Sequence, residues 1–145
     1  MSEHYDCLRL ENQLCFPLYA AARKVTSAYT PFLKPLGITF TQYIVLMVLW
    51  ENDDIPVGKI CRKLFLDSGT LTPLLKKMEE NGWLTRTRSK KDERSVFIRL
   101  TEKGSALKEK CVEIPPQVGK CVPLKPEEAA QLYNLLYQIL EDGTE

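Results

Sequence analysis

The sequence has a single histidine, no C-x-x-C pair and no long hydrophobic run. His4 stands three residues before Cys7, which is too little for a zinc site, and we expect neither a metal nor another cofactor. The longest apolar run, residues 43–50, is too short to cross a bilayer. The N-terminus also lacks the charged-then-apolar order of a signal peptide. We therefore expect a cytoplasmic protein without a membrane partner, whose five cysteines are reduced.

Net charge is nearly absent as well, at +1 over 145 residues, yet the basic side chains are unevenly distributed. Residues 76–99 hold eight Lys or Arg and four Asp or Glu, a net +4 against −3 for the remainder. Clustered basic charge is typical of a surface that binds a polyanion, although a solvated hairpin has the same composition. The 27% of charged and 44% of hydrophobic residues indicate one globular domain over 1–145.

Apolar residues recur at helical spacing near the N-terminus and predict a helix over about 8–32. Pro17 lies inside this range and is expected to kink the helix near Cys15. Pro31 and Pro35 are expected to end it. Cys15 thus lies on the apolar side of a helix, where a cysteine is more often an inert core residue than a reactive one.

Two further helices are predicted in the centre of the chain. Thr39 and Gln42 have the spacing of a capping box. The helix that they open is apolar nearly all round up to Trp50, so we expect it in the core. A short helix over about 57–64 follows.

The segment SGTLTPLLKKMEENG predicts the next helix, which Gly82 ends. Its start has two alternatives: Asp67 as the N-cap with a kink at Pro73, or Thr72 as the N-cap with Pro73 in the first turn. In either case the predicted buried stripe consists of Leu71, Leu74, Leu75 and Met78.

After residue 82 the apolar period changes from that of a helix to that of a strand. WLTRTR and SVFIRL predict two strands, with the charged loop SKKDER between them. Thr101 is the expected cap of a following helix that Pro115 and Pro116 break, and Pro126 is the expected first residue of a last helix. The order of elements indicates a mainly α protein with a small β-hairpin.

Two short helices joined by a tight turn and followed by a basic hairpin are typical of a winged helix-turn-helix that binds double-stranded DNA. On the second helix, side chains off the buried stripe suit base edges and phosphates in a major groove. An arginine at a hairpin tip suits the narrow minor groove. The candidate DNA-binding residues are Ser68, Thr70, Thr72, Lys76, Lys77, Arg86, Arg88, Lys90, Lys91, Asp92 and Arg94. A small helical domain with a surface hairpin is the alternative.

Longer stretches of the sequence resemble a known family. DERSVFIRLTEKG is similar to the wing of MarR family transcriptional regulators. NQLCFPLYAAARKV, ITFTQYIVLMVLWE and LDSGTLTPLLKKMEENGWLTRTRSKKDERSV resemble the OhrR subgroup, the repressors that sense organic hydroperoxides. The resemblance runs from about residue 10 to residue 113. It implies a homodimeric repressor of operator DNA, with a winged helix-turn-helix over about 38–100 and a helical dimerisation region over about 8–36 and 102–141.

The resemblance also implies a role for Cys15. The family's sensing cysteine falls on this position, where an organic hydroperoxide oxidises the thiolate to a sulfenic acid and DNA affinity is lost. Of the two tyrosines that hold the family's sensing sulfur, one matches Tyr29 and the other is Phe40 here. Tyr29 is 14 residues from Cys15, roughly 21 Å along a straight helix, so a contact requires the other subunit or a break at Pro17. Tyr19, one turn after Cys15, is a further candidate for the pocket.

Some members of the family have a second, resolving cysteine near the C-terminal helices, which forms an intersubunit disulfide with the sensor. Cys121 is the candidate for that role here, with Cys111 as the alternative, while Cys7 and Cys61 are expected to be bystanders. Without a resolving cysteine, the oxidised Cys15 is expected to form a mixed disulfide with a small thiol.

Two other functions are compatible with the residues. A MarR-like regulator that a small phenolic ligand releases from DNA would use Cys15 only as part of the cavity wall. A thiol peroxidase would need a group to activate Cys15, but no Lys, Arg or His lies within one turn of it and no C-x-x-C is present. We therefore expect a regulator and not an enzyme.

Overall fold

Helices account for most of the protein. The structure, a computed structural model, describes residues 2–92 and 94–141. Within these ranges, stretches of 3-10 helix lie at Ser2–Leu8, Leu10–Asn12 and Lys34–Leu36. The helices and strands, in chain order, are α1 (Cys15–Ser27), α2 (Thr30–Leu33), α3 (Phe40–Glu51), β1 (Ile55–Pro56), α4 (Val57–Leu64), α5 (Ser68–Glu80), β2 (Leu84–Arg88), β3 (Val96–Leu100), α6 (Glu102–Cys111), α7 (Ile114–Gly119) and α8 (Pro126–Leu140).

Helix α3 lies in the centre of the core, as its all-round apolar pattern predicts. The capping box predicted at its start is present. Thr39 Oγ1 accepts a hydrogen bond from the Gln42 backbone N–H (3.2 Å), and Gln42 Oε1 accepts one from the Thr39 backbone N–H (3.0 Å). The buried apolar residues of this helix are Tyr43, Val45, Leu46, Val48 and Leu49.

The structure distinguishes the two N-cap positions that the sequence allows for helix α5. It begins at Ser68 with Asp67 as the N-cap, whose Oδ1 accepts a hydrogen bond from the Thr70 backbone N–H (2.6 Å). This hydrogen bond lowers the pKa of the Asp67 carboxyl below its usual value. Pro73 therefore lies inside the helix, where it removes one backbone donor, and the alternative cap at Thr72 is wrong. The predicted stripe is buried at Leu71, Leu75 and Met78 and half-buried at Leu74.

An antiparallel sheet carries the hairpin. Strand β3 lies between β1 and β2, so that Ile98 is opposite Ile55 on one side and Arg86 on the other. Strands β2 and β3 confirm the two strands that the period-2 pattern predicts. The sequence does not predict β1, because two residues are too short to show a period and their partner strand is far along the chain. With α4, α5 and the hairpin in place, the winged helix-turn-helix is confirmed.

The N-terminal helix differs from the predicted one. Helix α1 begins at Cys15 rather than near residue 8, so Pro17 lies in its first turn, where the missing N–H costs no helical hydrogen bond. The kink predicted at Pro17 is therefore wrong. The helix also ends at Ser27, and Pro31 lies in the first turn of α2 instead of ending α1.

In the C-terminal helices the predicted starts are confirmed, whereas the predicted break is displaced. Thr101 caps α6, and its Oγ1 accepts a hydrogen bond from the backbone N–H three residues on (3.1 Å). The predicted break after α6 is present but lies at residues 112–113, since α6 ends at Cys111 and Pro115 and Pro116 belong to the first turn of α7. Pro126 is the first residue of α8, as predicted.

Helices α1 and α8 leave apolar side chains exposed. None of the residues described in these two helices is buried, whereas the buried core runs from Leu33 to Val118. The exposed apolar side chains include Leu14, Leu18 and Val25 at α1 and Leu132, Leu135 and Ile139 at α8. In the part of the chain that the structure describes, no single helix is long and apolar enough to cross a membrane; the bent pair Cys15–Leu36 and Phe40–Glu51, at 79°, meets that test by length and composition only.

Candidate DNA interface and redox site

Helix α5 presents a polar face to solvent opposite its buried stripe. Ser68, Thr70, Lys76 and Lys77 are exposed, as the sequence predicts, and Thr72 is half-buried. Lys77 and its neighbour Glu80 are loosely paired, with 3.8 Å between Nζ and Oε2. This face offers hydroxyls and ammonium groups that water still reaches, which suits the base edges and phosphates of a major groove.

Hydrogen bonds of Ser89 and Asp92 hold the loop at the tip of the hairpin. The Ser89 backbone N–H donates to the Ser95 carbonyl (2.8 Å), which closes the loop. Asp92 Oδ1 accepts the Arg94 backbone N–H (3.0 Å), and Oδ2 accepts the Ser95 hydroxyl (3.3 Å). Asp92 thus fixes the backbone on which Arg94 stands. The exposed basic side chains of the strand end and tip are Arg88, Lys90, Lys91 and Arg94.

Arg86 is placed differently from these cations. Its Nε donates to Glu79 Oε1 and its backbone N–H to Glu79 Oε2, both at 3.1 Å. The two side chains are partly buried, with 29% of Arg86 and 36% of Glu79 exposed. The structure therefore engages Arg86 within the protein, between β2 and the last turn of α5.

Two cations of α4 belong to this surface and were not among the candidates from the sequence. Lys59 and Arg62 line a groove of about 520 Å³ between α4, α5 and the wing. The groove is also lined by Ser68, Thr72 and Arg94. The sequence signal was present, since Ile60 is the buried residue of α4 and the basic side chains around it must face outward.

Cys15 is the first residue of α1, and its side chain is exposed. It stands beside Leu14, which is 76% exposed, and Phe16, which is 45% exposed. Cys15 therefore lies on an apolar surface that the chain's own residues do not cover.

The other four cysteines have distinct surroundings, and all five are free thiols. Cys121 is exposed in the connection between α7 and α8, where its backbone N–H donates to the Val118 carbonyl (2.8 Å). Cys111 is buried in the core, and burial raises the pKa of its thiol. Cys7 is exposed and Cys61 is half-buried.

Tyr29 lies in an aromatic cluster at the start of α2. Its ring centroid is 5.0 Å from that of Phe40 and 5.4 Å from that of Tyr43. Burial raises the pKa of Tyr29. Burial, followed by the charges of Tyr29 and Cys111, raises the pKa of Tyr43 to about 12. Both tyrosines are therefore neutral phenols at neutral pH, as an exposed tyrosine also is.

Tyr19 lies on α1, one turn after Cys15, and is 61% exposed. The Arg23 guanidinium stands over its ring, 5.4 Å from the centroid, in a cation–π contact. The contact holds the Arg23 guanidinium on the exposed side of α1, about two turns after Cys15.

Comparisons with known proteins concern both the candidate DNA interface and the candidate redox site. Residues 27–111 match the family described as "Transcriptional regulator SarA/Rot". The chain is 50% identical over 141 residues to the organic hydroperoxide resistance transcriptional regulator of Bacillus subtilis (strain 168), which covers 97% of this chain and 96% of that protein.

Solved structures show the same likeness. The reduced form of AbfR of Staphylococcus epidermidis bound to DNA is 37% identical, with a TM-score of 0.80, and the match covers 98% of this chain and 99% of that one. AbfR with a disulfide formed is 36% identical, with a TM-score of 0.67 and coverage of 97% and 96%. A mutant MarR from E. coli complexed with operator DNA is 28% identical, with a TM-score of 0.76 and coverage of 88% and 93%.

Proposed function

Since the chain belongs to the MarR family of transcriptional regulators and to its organic hydroperoxide resistance group, we propose that it is a homodimeric repressor that binds operator DNA and releases it when an organic hydroperoxide oxidises Cys15. The position of Cys15 carries this proposal. Its thiol is exposed at the start of α1, on the apolar surface that the chain's own residues leave uncovered. A sensor on that surface acts where two subunits meet.

The winged helix-turn-helix supplies the DNA-binding part. Helix α5 enters the major groove with its exposed hydroxyls and lysines, and the hairpin tip with Arg94 reaches the adjacent minor groove. Lys59 and Arg62 on α4 meet phosphates, because the first helix of such a motif crosses the DNA backbone. The DNA-bound forms of AbfR and MarR support this assignment.

The uncovered faces of α1 and α8 form the subunit interface. Exposed apolar side chains that lie together on a surface mark association sites, and α1 and α8 each present several of them. A two-fold axis presents the same patch on each subunit and also mirrors an operator with two half-sites. The second copy of the chain is therefore the partner that covers these helices.

The sensing step is a two-electron oxidation of sulfur. The Cys15 thiolate attacks the terminal oxygen of the hydroperoxide, the O–O bond breaks, and the leaving alkoxide takes up a proton as an alcohol. The sulfur retains one oxygen as a sulfenic acid. Within one chain the length of α1 separates Cys15 from Tyr29 by roughly 20 Å. We therefore assign Tyr29 to the Cys15 of the other subunit.

Cys121 is assigned the resolving role. Its thiol condenses with the sulfenic acid of Cys15, which forms a disulfide and releases water. Cys121 is exposed in a connection between helices, whereas burial of Cys111 disfavours the thiolate that this reaction needs. The disulfide form of AbfR supports a reaction of this kind.

The test uses a duplex that the wild-type protein selects from a random-sequence library, with fluorescence anisotropy before and after cumene hydroperoxide and with intact mass measured in parallel. We expect the wild-type protein to release the duplex and Cys15→Ser to stay bound. Release of Cys15→Ser by a phenolic compound, but not by peroxide, would instead favour the ligand-released regulator. Steady-state consumption of peroxide would indicate an enzyme.

A further inference from the structure

The wing is fastened at its base on both strands. On β3, the Arg99 guanidinium donates to Asp54 Oδ2 (2.9 Å) and the Leu100 backbone N–H donates to Asp53 Oδ1 (2.8 Å). These carboxylates lie in the connection between α3 and β1. On β2, the fastening is the pair of hydrogen bonds from Arg86 to Glu79 of α5. The β2 side is thus tied directly to the helix that enters the major groove.

The contact between Glu79 and Arg86 restrains the backbone of β2 as well as a side chain, which an ordinary surface ion pair does not do. One carboxylate accepts both the backbone N–H and the side-chain Nε of the same residue, so it sets the position of β2 as well as the direction of its arginine. Both side chains are about two-thirds buried. The pair Lys77–Glu80, one residue further along α5, has a 3.8 Å separation and is 64% and 68% exposed. A pair of that kind restrains little.

We propose that Glu79 is a positioning residue of DNA recognition, which sets through Arg86 where the wing stands relative to α5. The proposal rests on the DNA-binding function argued above. The tip with Arg94 and the exposed face of α5 must reach adjacent grooves of one duplex, so the angle between β2 and α5 determines whether both contacts form together. Arg86 then acts through the protein, although the sequence places it among the DNA contacts.

The direction in which removal of Glu79 changes DNA affinity distinguishes a positioning role from a purely electrostatic one. By charge alone, removal of an acid from the DNA-binding half of the protein strengthens binding to a polyanion. Removal of a positioning carboxylate weakens it. Glu80 provides a matched control, because it has the same charge on the same helix and no bond to the wing among those that the structure describes.

The experiment measures the affinity of Glu79→Ala and Glu80→Ala for the duplex that the wild-type protein selects from a random-sequence library, each with and without Arg94→Ala. We expect Glu79→Ala to bind about five- to tenfold more weakly, which is part of the loss expected when a groove-inserted arginine is removed. We expect Glu80→Ala to bind as tightly as the wild type or more tightly. In the Arg94→Ala background the loss from Glu79→Ala should shrink below about twofold. Hydroxyl-radical footprints should lose minor-groove protection while the central major-groove contact stays.

Thermal unfolding checks that each variant is folded, and Glu79→Gln, which keeps one acceptor oxygen, replaces Glu79→Ala if that variant is not. Equal affinities of the Glu79 and Glu80 variants refute the inference and leave DNA binding intact. An equal loss with and without Arg94 also refutes it, because Glu79 then acts without the wing. A wild-type protein that selects no duplex refutes the proposed function, and this inference with it.

Discussion

Helix α8 offers a direct test of the dimer, because its apolar face has no cover within the chain. Leu132 is 45% exposed and Leu135 is 57% exposed. Full burial of a leucine is worth about 1.5–3 kcal/mol, so covering the exposed half of each contributes roughly 1 kcal/mol. In a two-fold symmetric dimer both subunits contribute each leucine, so its burial free energy is counted twice. Together they supply roughly 4 kcal/mol, about a thousandfold in the dimer dissociation constant.

The perturbation is the double variant Leu132→Asp with Leu135→Asp. It removes this burial and places four carboxylates in the interface, where desolvation opposes association. Sedimentation at micromolar concentration should show the monomer mass, and affinity for a palindromic duplex should fall because two half-sites are no longer bound together. The variant should keep its helical circular dichroism, because both side chains are already exposed in the single chain.

A matched control keeps the charge and moves it to the other side of α8. Ala130 and Asn134 are exposed and lie on the side of α8 away from the leucine face, about 170° and 130° from its centre at 100° per residue. The variant Ala130→Asp with Asn134→Asp should remain a dimer. A leucine variant that sediments as a dimer, with DNA affinity like that of the control, would show that α8 is not the interface.

Four further outcomes are expected. Arg94→Ala should cost about 1–3 kcal/mol of operator binding, measured by anisotropy, and unchanged affinity would remove the wing from recognition. Lys76→Ala should lower the slope of log affinity against log salt by about 1 if its ammonium meets a phosphate; an unchanged slope contradicts that contact. Cys121→Ser should abolish the peroxide-induced, dithiothreitol-sensitive dimer band on non-reducing gels, as should Cys15→Ser, and a persistent band in Cys121→Ser assigns the resolving role elsewhere. Phe40→Tyr, which restores a hydroxyl beside Tyr29, should speed Cys15 oxidation in stopped-flow measurements without changing reduced-state DNA affinity; an unchanged rate shows that this hydroxyl does not reach the sulfur.

The elements that the sequence predicts well are those whose ends are set by neighbouring residues. Thr39 and Gln42 satisfy each other's backbone donors within one turn, and Asp67 and Thr101 cap their helices in the same local way. The hairpin shows its period over five residues on each strand. Short-range hydrogen bonds and side-chain alternation are properties of a single stretch of sequence, so no knowledge of the rest of the fold is needed.

The elements that it predicts badly depend on contacts further away. Whether Pro17 kinks a helix or begins one depends on where the helix starts, and the apolar pattern before Cys15 continues through 3-10 turns that show the same residue types. Strand β1 exists through its pairing with β3, since Ile55 is opposite Ile98. A period in the sequence cannot show either fact.

The candidate DNA surface shows a related limit. The positive charge of the segment 76–99 is evident from the sequence, but the partner of each cation is not. Arg86 is engaged by Glu79 seven residues earlier, across the helix end and the start of β2, whereas the tip cations are exposed. Lys59 and Arg62 join the surface only because α4 folds against α5. Charge thus predicts the class of ligand, and packing decides which residues are available to meet it.

The separation between Cys15 and the wing makes the subunit interface the natural route of signalling. Cys15 begins α1, and the apolar face of that helix is completed only by a second copy in the proposed dimer. In the proposed mechanism, a new bond or oxygen on this sulfur changes how two subunits meet, and Cys15 lies outside the buried core from Leu33 to Val118. Two recognition helices must stand about 34 Å apart to enter successive major grooves. In the proposed mechanism, a small rotation at the interface alters that spacing for both helices at once, and this change is what converts oxidation of Cys15 into a loss of fit to DNA.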